Sequence, residues 1–319
     1  MKPFVSILIP ALNEEKNIKK CLISTLSQDY PSERFEIIVM DNGSTDTTRE
    51  IAESFGVRVI DAQDLRIGGV RNIGAKYSKG EILAYLDADC VADPDWLING
   101  ITLLLASQSI GAVGGPCHVP DQSTWVQQAW GWKHKDLGTS AVDALSTGSF
   151  FIRRDVFDNV GGFNDKIVAG EDTEISKKIK NTEKTLILSS SIAVVHMGYP
   201  VSLLDFIKRQ VWQSRDYIKT KKNKKDPVFI LVHLFAISIA LGGVLTIFAK
   251  NRYSFGLCLG GSIVLPAALA FYRHIKLRRG CNLTILIQSF FLNFLYLLGR
   301  SIGLMISYVN TLARFLRLV

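Results

Sequence analysis

From Pro227 to its end, a stretch of 93 residues, the chain contains no aspartate and no glutamate. A water-facing surface ordinarily mixes both signs of charge, so this stretch is suited to another solvent. Residues 228–249 give 22 positions without a charge, and residues 254–272 give 19, with Pro266 inside. A third apolar segment, 283–308, carries only Arg300. At 1.5 Å per helical residue, each run can cross a hydrocarbon core about 30 Å thick. Three such runs in one acid-free stretch read as membrane helices rather than a buried core pair.

The basic residues between them give an orientation. Five lysines lie in 219–225, two basic residues in 250–252, and four in 273–279. Dense positive charge marks the cytoplasmic side. The N-terminal head and the second loop are then both inside, as two spans between them require. The expectation is a multi-pass protein of the cell membrane with a cytoplasmic head. Helices lying parallel to the lipid surface are the other reading for the third segment alone.

Nine of the 37 Lys and Arg lie in this tail, leaving 28 basic against 29 acidic residues in the first 226. The formal charge of +8 therefore belongs to the tail. It points to membrane lipids as neighbours and not to nucleic acid. The five cysteines are scattered, with no CxxC or Cys/His spacing. Neither a disulfide framework nor a structural zinc site is expected, and the head reads as sitting in a reducing compartment. The N-terminal apolar run, residues 4–10, meets Pro10 and then acids. It reads as a first strand, not a leader.

The head alternates apolar runs of strand length (4–10, 35–41, 57–61, 81–87) with helical patterns (13–29, 44–55, 71–78, 95–107). Continuous apolar runs are the mark of strands buried on both faces. The alternation predicts an α/β head with a mostly parallel sheet covered by helices on both sides. Further strands are expected at 110–119, 145–152 and within 185–197, and helices at 124–135, 171–180 and 202–220. Residues 1–200 read as the head, 201–226 as an amphipathic helix and basic linker, and 227–319 as the membrane part.

Four polar clusters fall at the carboxyl ends of these strands, where open α/β sheets bind ligands. They are Pro10–Glu14, Asp41–Asp46, Gly68–Asn72 and Asp87–Ala88–Asp89. Each alone reads as caps and turns; four in the first 90 residues converge on one crevice. Two carboxylates two residues apart after an apolar strand suit a hard divalent cation, Mg²⁺ or Mn²⁺, shared with substrate phosphates.

The segments VSILIPALNEE, IIVMDNGSTDTT, GGVRNIGA, GEILAYLDADC, STGSFFIRRDVFDNVGGFND and GED resemble glycosyltransferase family 2, whose members have the GT-A fold. The resemblance covers about residues 4–200. It implies transfer of a sugar from a nucleotide-diphosphate donor with inversion and with Mg²⁺ or Mn²⁺. Carried over by motif, Pro10, Ala11, Asn13 and Glu14 would line the nucleoside pocket. Asp41 would accept from the base, Arg71 would lie near base or phosphates, and Asp87 would face the ribose. Asp89 would hold the metal, with His196 as a late metal or phosphate contact. Ser146, Thr147 and Gly148 would flank donor sugar and acceptor, beside Glu171, and Asp172 matches the family's catalytic base.

Such a base must reach the acceptor hydroxyl on the face opposite the leaving diphosphate. Acids at 171–172 also suit a helix N-terminus, so capping and catalysis are compatible there. Arg209, Trp212 and Arg215 lie where processive synthases of the family carry QxxRW, but the spacing differs: Asp216 follows Arg215. They read as an interface helix. Trp125, Trp130 and Trp132 could stack on a sugar or pack within the fold. The expectation is a membrane-bound transferase with a lipid-linked or glycan acceptor. A processive polysaccharide synthase and a non-catalytic scaffold with a transferase-like head are the competing readings.

Overall fold

The structure is a computed structural model that describes residues 2–131, 138–215, 227–248, 252–276 and 283–317. The lysines of 219–225, the turn 249–251, the loop positions 277–282 and Trp132 lie outside the described residues. The chain forms two units, one of residues 1–121 and 131–199, the other of 122–130 and 200–319.

The first unit is built on β1 (Val5–Ala11), α1 (Ile18–Leu26), β2 (Phe35–Asp41), α2 (Thr48–Ser54), β3 (Arg58–Asp61), α3 (Ile67–Tyr77) and β4 (Ile82–Leu86). β1 and β4 are buried along their whole length. β5 (Cys90–Ala92), α4 (Trp96–Leu105), β6 (Ile110–Gly114) and β7 (Cys117–His118) follow. After α5 (Trp125–Trp130) come β8 (Thr139–Val142), β9 (Ser149–Arg153), α6 (Arg154–Asn159), α7 (Glu171–Lys180), β10 (Thr185–Ser189) and β11 (Val194–His196).

Eight strands form the main sheet in the order β3-β2-β1-β4-β9-β6-β10-β8. The first four are parallel, in the register Ala11↔Asp41↔Asp61 and Leu8↔Tyr85. That register brings the carboxyl ends of β1, β2 and β3 to one edge. β9 runs antiparallel between β4 and β6. One core layer, with Ile7, Ile9, Leu22, Trp96 and Phe151, covers one face of the sheet; Leu8, Tyr85, Phe150, Phe163 and Ile175 cover the other.

A second, three-stranded sheet was not foreseen. β11 pairs antiparallel with β5, His196 opposite Cys90, and parallel with β7, Val194 opposite Cys117. Strands of two or three residues give no periodic pattern to read. The single strand expected over 110–119 breaks into β6 and β7 at Gly115–Pro116, where Pro116 has no amide to donate to a ladder and the chain passes so close to Ile192 that an ideal Cβ on Gly115 would lie 1.7 Å from its carbonyl oxygen. The helix expected to begin at 71 begins at Ile67. Gly68 and Gly69 are tolerated in its first turn because the chain at 163–165 packs on them; a Cβ at Gly68 would sit 2.5 Å from the Asn164 carbonyl oxygen.

The second unit holds α5, α8 (Leu203–Ser214), α9 (Pro227–Phe248), α10 (Arg252–Lys276) and α11 (Leu283–Arg317). Ser202 caps α8 by accepting from the Asp205 amide at 3.2 Å. α11 lies close on α8 because Gly299 and Gly303 face Gln210 and Ser214, the small-residue contact that lets helix backbones approach. Arg300 donates to the Gln210 and Gln213 side-chain oxygens at 3.2 and 2.6 Å. Trp130 packs edge-on against Phe206 and beside Tyr296. Among the described residues, one segment, Leu283–Ala313, is long and apolar enough to cross a membrane; in α9 the apolar stretch is Val228–Gly242.

Candidate active site

The parallel strands deliver their polar ends to one edge, and hydrogen bonds fix the loops there. Asn13 takes a left-handed backbone, φ 55°, a conformation asparagine tolerates better than most residues. Its side-chain oxygen accepts from the Thr45 amide at 2.8 Å, and its own amide donates to Ser44 Oγ at 3.0 Å. The Glu14 amide donates to Thr48 Oγ1 at 2.7 Å. The loop after β1 is thereby tied to the loop after β2. Pro10 and Ala11 are buried at the end of β1. Asp41, 4% exposed, accepts from the Ser44 amide.

Arg71 lies on α3 and is 3% exposed. Its guanidinium donates to Glu171 Oε1 at 2.7 Å and to Asp87 Oδ1 at 2.9 Å. The ring of Phe163 lies 5.6 Å beneath it. One buried cation therefore joins the residue after β4 to the first residue of α7. Gly148 belongs to the same corner: an ideal Cβ there would sit 3.5 Å from Asp87 Oδ2. Thr147 is buried, and Ser146 Oγ accepts from the Gly148 amide at 3.4 Å.

Asp172 follows Glu171 in the first turn of α7. It is half-buried and accepts from the Thr173 amide at 2.6 Å. Burial, then the charge of Glu171, raises its carboxyl above the usual aspartate range, against the hydrogen bonds from Thr173 and the charge of Arg71. A carboxylate so placed takes up a proton more readily than a solvated one.

Asp89 and His196 meet through the second sheet. His196 Nε2 is 3.3 Å from Asp89 Oδ2. Position 198 leaves room for that carboxylate, since a Cβ on Gly198 would fall 1.9 Å from Asp89 Oδ2. A buried imidazole and a carboxylate converging in a cradle kept open by glycine fit a divalent cation. The third donor in reach is one the motif reading passed over: Cys90, which with Asp89 and His196 brings one ligand atom each to within 4.8 Å of the others. Its only signal in the sequence was its place directly after Asp89. Glu14 faces this corner too. Burial and the charges of Asp89 and Asp87 raise its carboxyl, while Asn17 and His196 lower it. Arg209, Trp212 and Arg215 belong to α8 and its end, in the second unit; Trp212 and Arg215 are exposed and Arg209 is half-buried.

The family model described as glycosyl transferase family 2 matches residues 6–164. The glycosyltransferase AglE of Haloferax volcanii is 31% identical over 218 residues, which cover 65% of this chain and 71% of that protein. The beta-monoglucosyldiacylglycerol synthase of Nostoc sp. is 24% identical over 233 residues, 67% of this chain; this chain spans 49% of that protein. The mannosyltransferase PcManGT of Pyrobaculum calidifontis, solved with GDP-Man and Mn²⁺, superposes with a TM-score of 0.61 at 18% identity, covering 96% of this chain and 88% of that one. That likeness shows the fold, which is the GT-A glycosyltransferase fold.

The buried triad has a measurable consequence. Removing one partner of a buried ion pair strands the other and costs about 3–5 kcal/mol. Arg71→Gln should destabilise the first unit on that scale in urea unfolding followed by Trp fluorescence. Adding Glu171→Gln should recover part of the loss, giving a coupling of roughly 1–3 kcal/mol. Strictly additive effects would mean that the contact contributes nothing.

Proposed function

Since the chain belongs to glycosyl transferase family 2, we propose that its head transfers a sugar from a nucleotide-diphosphate donor to an acceptor hydroxyl with inversion at the anomeric carbon. The observation that carries this reading is the Asp87–Arg71–Glu171 bridge. It holds a strand-end carboxylate of the donor side and the helix turn bearing Asp172 on one buried cation.

In this reading Pro10, Ala11, Asn13, Glu14 and Asp41 receive the nucleoside, and Asp87 faces the ribose. Arg71 is buried behind them and acts through its two carboxylates. Asp89 and His196 hold Mg²⁺ or Mn²⁺, which when bound supplies positive charge against the departing diphosphate. Ser146, Thr147 and Gly148 border the sugar. Asp172 accepts the acceptor's proton as the oxygen attacks. Its raised affinity for a proton suits that task, because a general base works best with a pKa near the working pH. Glu171, pinned by Arg71, keeps negative charge beside it.

The acceptor is proposed to be lipid-linked, and the protein to be a multi-pass protein whose head faces the cytoplasm. Three things support this: the acid-free tail with its basic loops, the apolar length of Leu283–Ala313, and a relative whose name is that of a glycolipid synthase. A single transfer is preferred to polymer synthesis because QxxRW is absent at 209–216.

Asp172→Asn keeps size and capping ability but cannot take the proton. Transfer should fall by at least about 10²-fold, the lower bound for a positioned base, while donor affinity barely changes. Near-normal turnover by the folded variant would remove Asp172 from the mechanism. In the wild-type protein the base is active when deprotonated, so activity is lost as pH falls through its pKa. Because that pKa is raised, the acid limb of kcat should lie above the value near 4 of an ordinary aspartate. An acid limb at or below it would contradict the assignment.

The topology has its own test. In intact cells, a cysteine placed in 273–279 should be protected from an impermeant thiol reagent, and one in 250–252 should react. The opposite pattern would overturn the proposed orientation.

A further inference from the structure

The strand pairing that sets His196 opposite Cys90 also places a thiol beside the carboxylate–imidazole pair. Cys90 Sγ lies 3.8 Å from Asp89 Oδ1, and Asp89 Oδ2 lies 3.3 Å from His196 Nε2. In a tetrahedral zinc site, with Zn–S about 2.3 Å and Zn–N or Zn–O about 2.0–2.1 Å, neighbouring ligand atoms are about 3.3–3.5 Å apart. The two Asp89 distances, one from each carboxylate oxygen, lie near those values, and the three side chains bring one ligand atom each to within 4.8 Å of the others. All are largely enclosed: Cys90 is fully buried and His196 is 8% exposed.

Donor chemistry separates two classes of cation. Mg²⁺ and Mn²⁺ prefer oxygen and leave a thiol protonated; Zn²⁺ and Cd²⁺ take thiolate and imidazole. The Cys90 thiol is buried and hydrogen-bonded to that of Cys117. Only a cation that displaces the proton recruits it. A disulfide between the two cysteines is the other chemistry such a pair offers. β5 and β7 flank β11 on opposite sides, so their backbones stand about two strand spacings apart, roughly 9–10 Å. That exceeds the Cα separation of about 7 Å that a disulfide tolerates.

We propose that Asp89, Cys90 and His196 form a site for a thiophilic divalent cation of the Zn²⁺ or Cd²⁺ class, which competes with the Mg²⁺ or Mn²⁺ of the transfer reaction for Asp89 and His196. On binding, the Cys90 S–H bond breaks, its proton passes to solvent, and a sulfur–metal bond forms without change of oxidation state. Cys117, within hydrogen-bond reach, supports the thiolate. The site inhibits because the thiolate occupies a coordination position that a hard ion would leave to water or diphosphate. The competition rests on the proposed roles of Asp89 and His196; the thiolate ligand does not.

The test uses the full chain in detergent, stripped of metal with a chelator. Titration with Cd²⁺ should produce an ultraviolet thiolate-to-cadmium charge-transfer band. In Cys90→Ser the part of that band formed at the lowest Cd²⁺ concentration should vanish, and affinity should fall by at least about tenfold, as for loss of a metal-supporting group. Cys90→Ala serves if the serine variant fails to fold. Mn²⁺ binding, followed by the paramagnetic resonance of free Mn²⁺ in the presence of nucleoside diphosphate, should persist in the Cys90 variant and be displaced by Cd²⁺ in the wild type. A cadmium band unchanged in both Cys90 variants overturns the proposal. So does Cd²⁺ binding that leaves bound Mn²⁺ in place. A Cys90-dependent cadmium band in a protein that takes up no Mn²⁺ supports the thiolate site and defeats the hard-cation part of the proposed function instead.

Discussion

A single buried guanidinium organises the head. Arg71 sits in α3, 3% exposed, with one carboxylate from the end of β4 and another from the start of α7. Desolvating such a charge is costly unless it is paired with good geometry, so wherever Arg71 goes, Asp87 and Glu171 must follow. Its bonds span 16 and 100 positions of sequence. They fix the loop that follows β4, the last of the parallel strands β1–β4, to a helix that lies between the antiparallel strand β9 and β10 in the chain. One cation facing Asp87, Glu171 and nearby Asp172 leaves an excess of negative charge. Burial, and after it the charge of Glu171, holds the proton affinity of Asp172 up against the pull of Arg71.

The corner of Asp89 and His196 depends on a different constraint, the three-stranded sheet. β11 has to return between β5 and β7 for His196 to lie beside Asp89. The Met197 amide donates to the Asp89 carbonyl at 2.7 Å and continues that pairing past the strand. Two glycines make the crowding tolerable: Gly115 lets the chain pass under the Ile192 carbonyl, and Gly198 leaves the Asp89 carboxylate its space. Side chains at either position would push apart the elements that bring Asp89, Cys90 and His196 together.

Much of the parallel half was legible in sequence. β2 spans 35–41 as read, and α7 spans 171–180, because acids open that helix and lysines close it in the order a helix dipole favours. The polar residues closing β1, β2 and β4 stood out because they interrupt apolar runs. What failed was what no local pattern encodes. β5, β7 and β11 are too short for periodicity, so the strand pairing that adds Cys90 to this corner was not read; the resemblance alone had grouped Asp89 with His196. The glycines of α3 looked like loop residues, and only the packing of 163–165 on them explains a helix from Ile67. Arg71 was read as a donor contact; its burial against two carboxylates is a tertiary fact. Likewise α5, three residues of which are Trp or Val, belongs with the C-terminal helices by its packing on Phe206 and Tyr296, a partnership that its position in the chain does not announce.

The central claim is that the edge formed by β1, β2 and β4 is a nucleotide-sugar site completed by a divalent cation at Asp89. Calorimetric titration of the full chain with nucleotide-diphosphate sugars, in Mn²⁺ and again in chelator, tests it most directly. The account predicts saturable binding of at least one donor in Mn²⁺, with affinity falling at least about tenfold in chelator and in a folded Asp89→Ala variant. Donor binding of equal strength with and without the cation, or unchanged by Asp89→Ala, would contradict it.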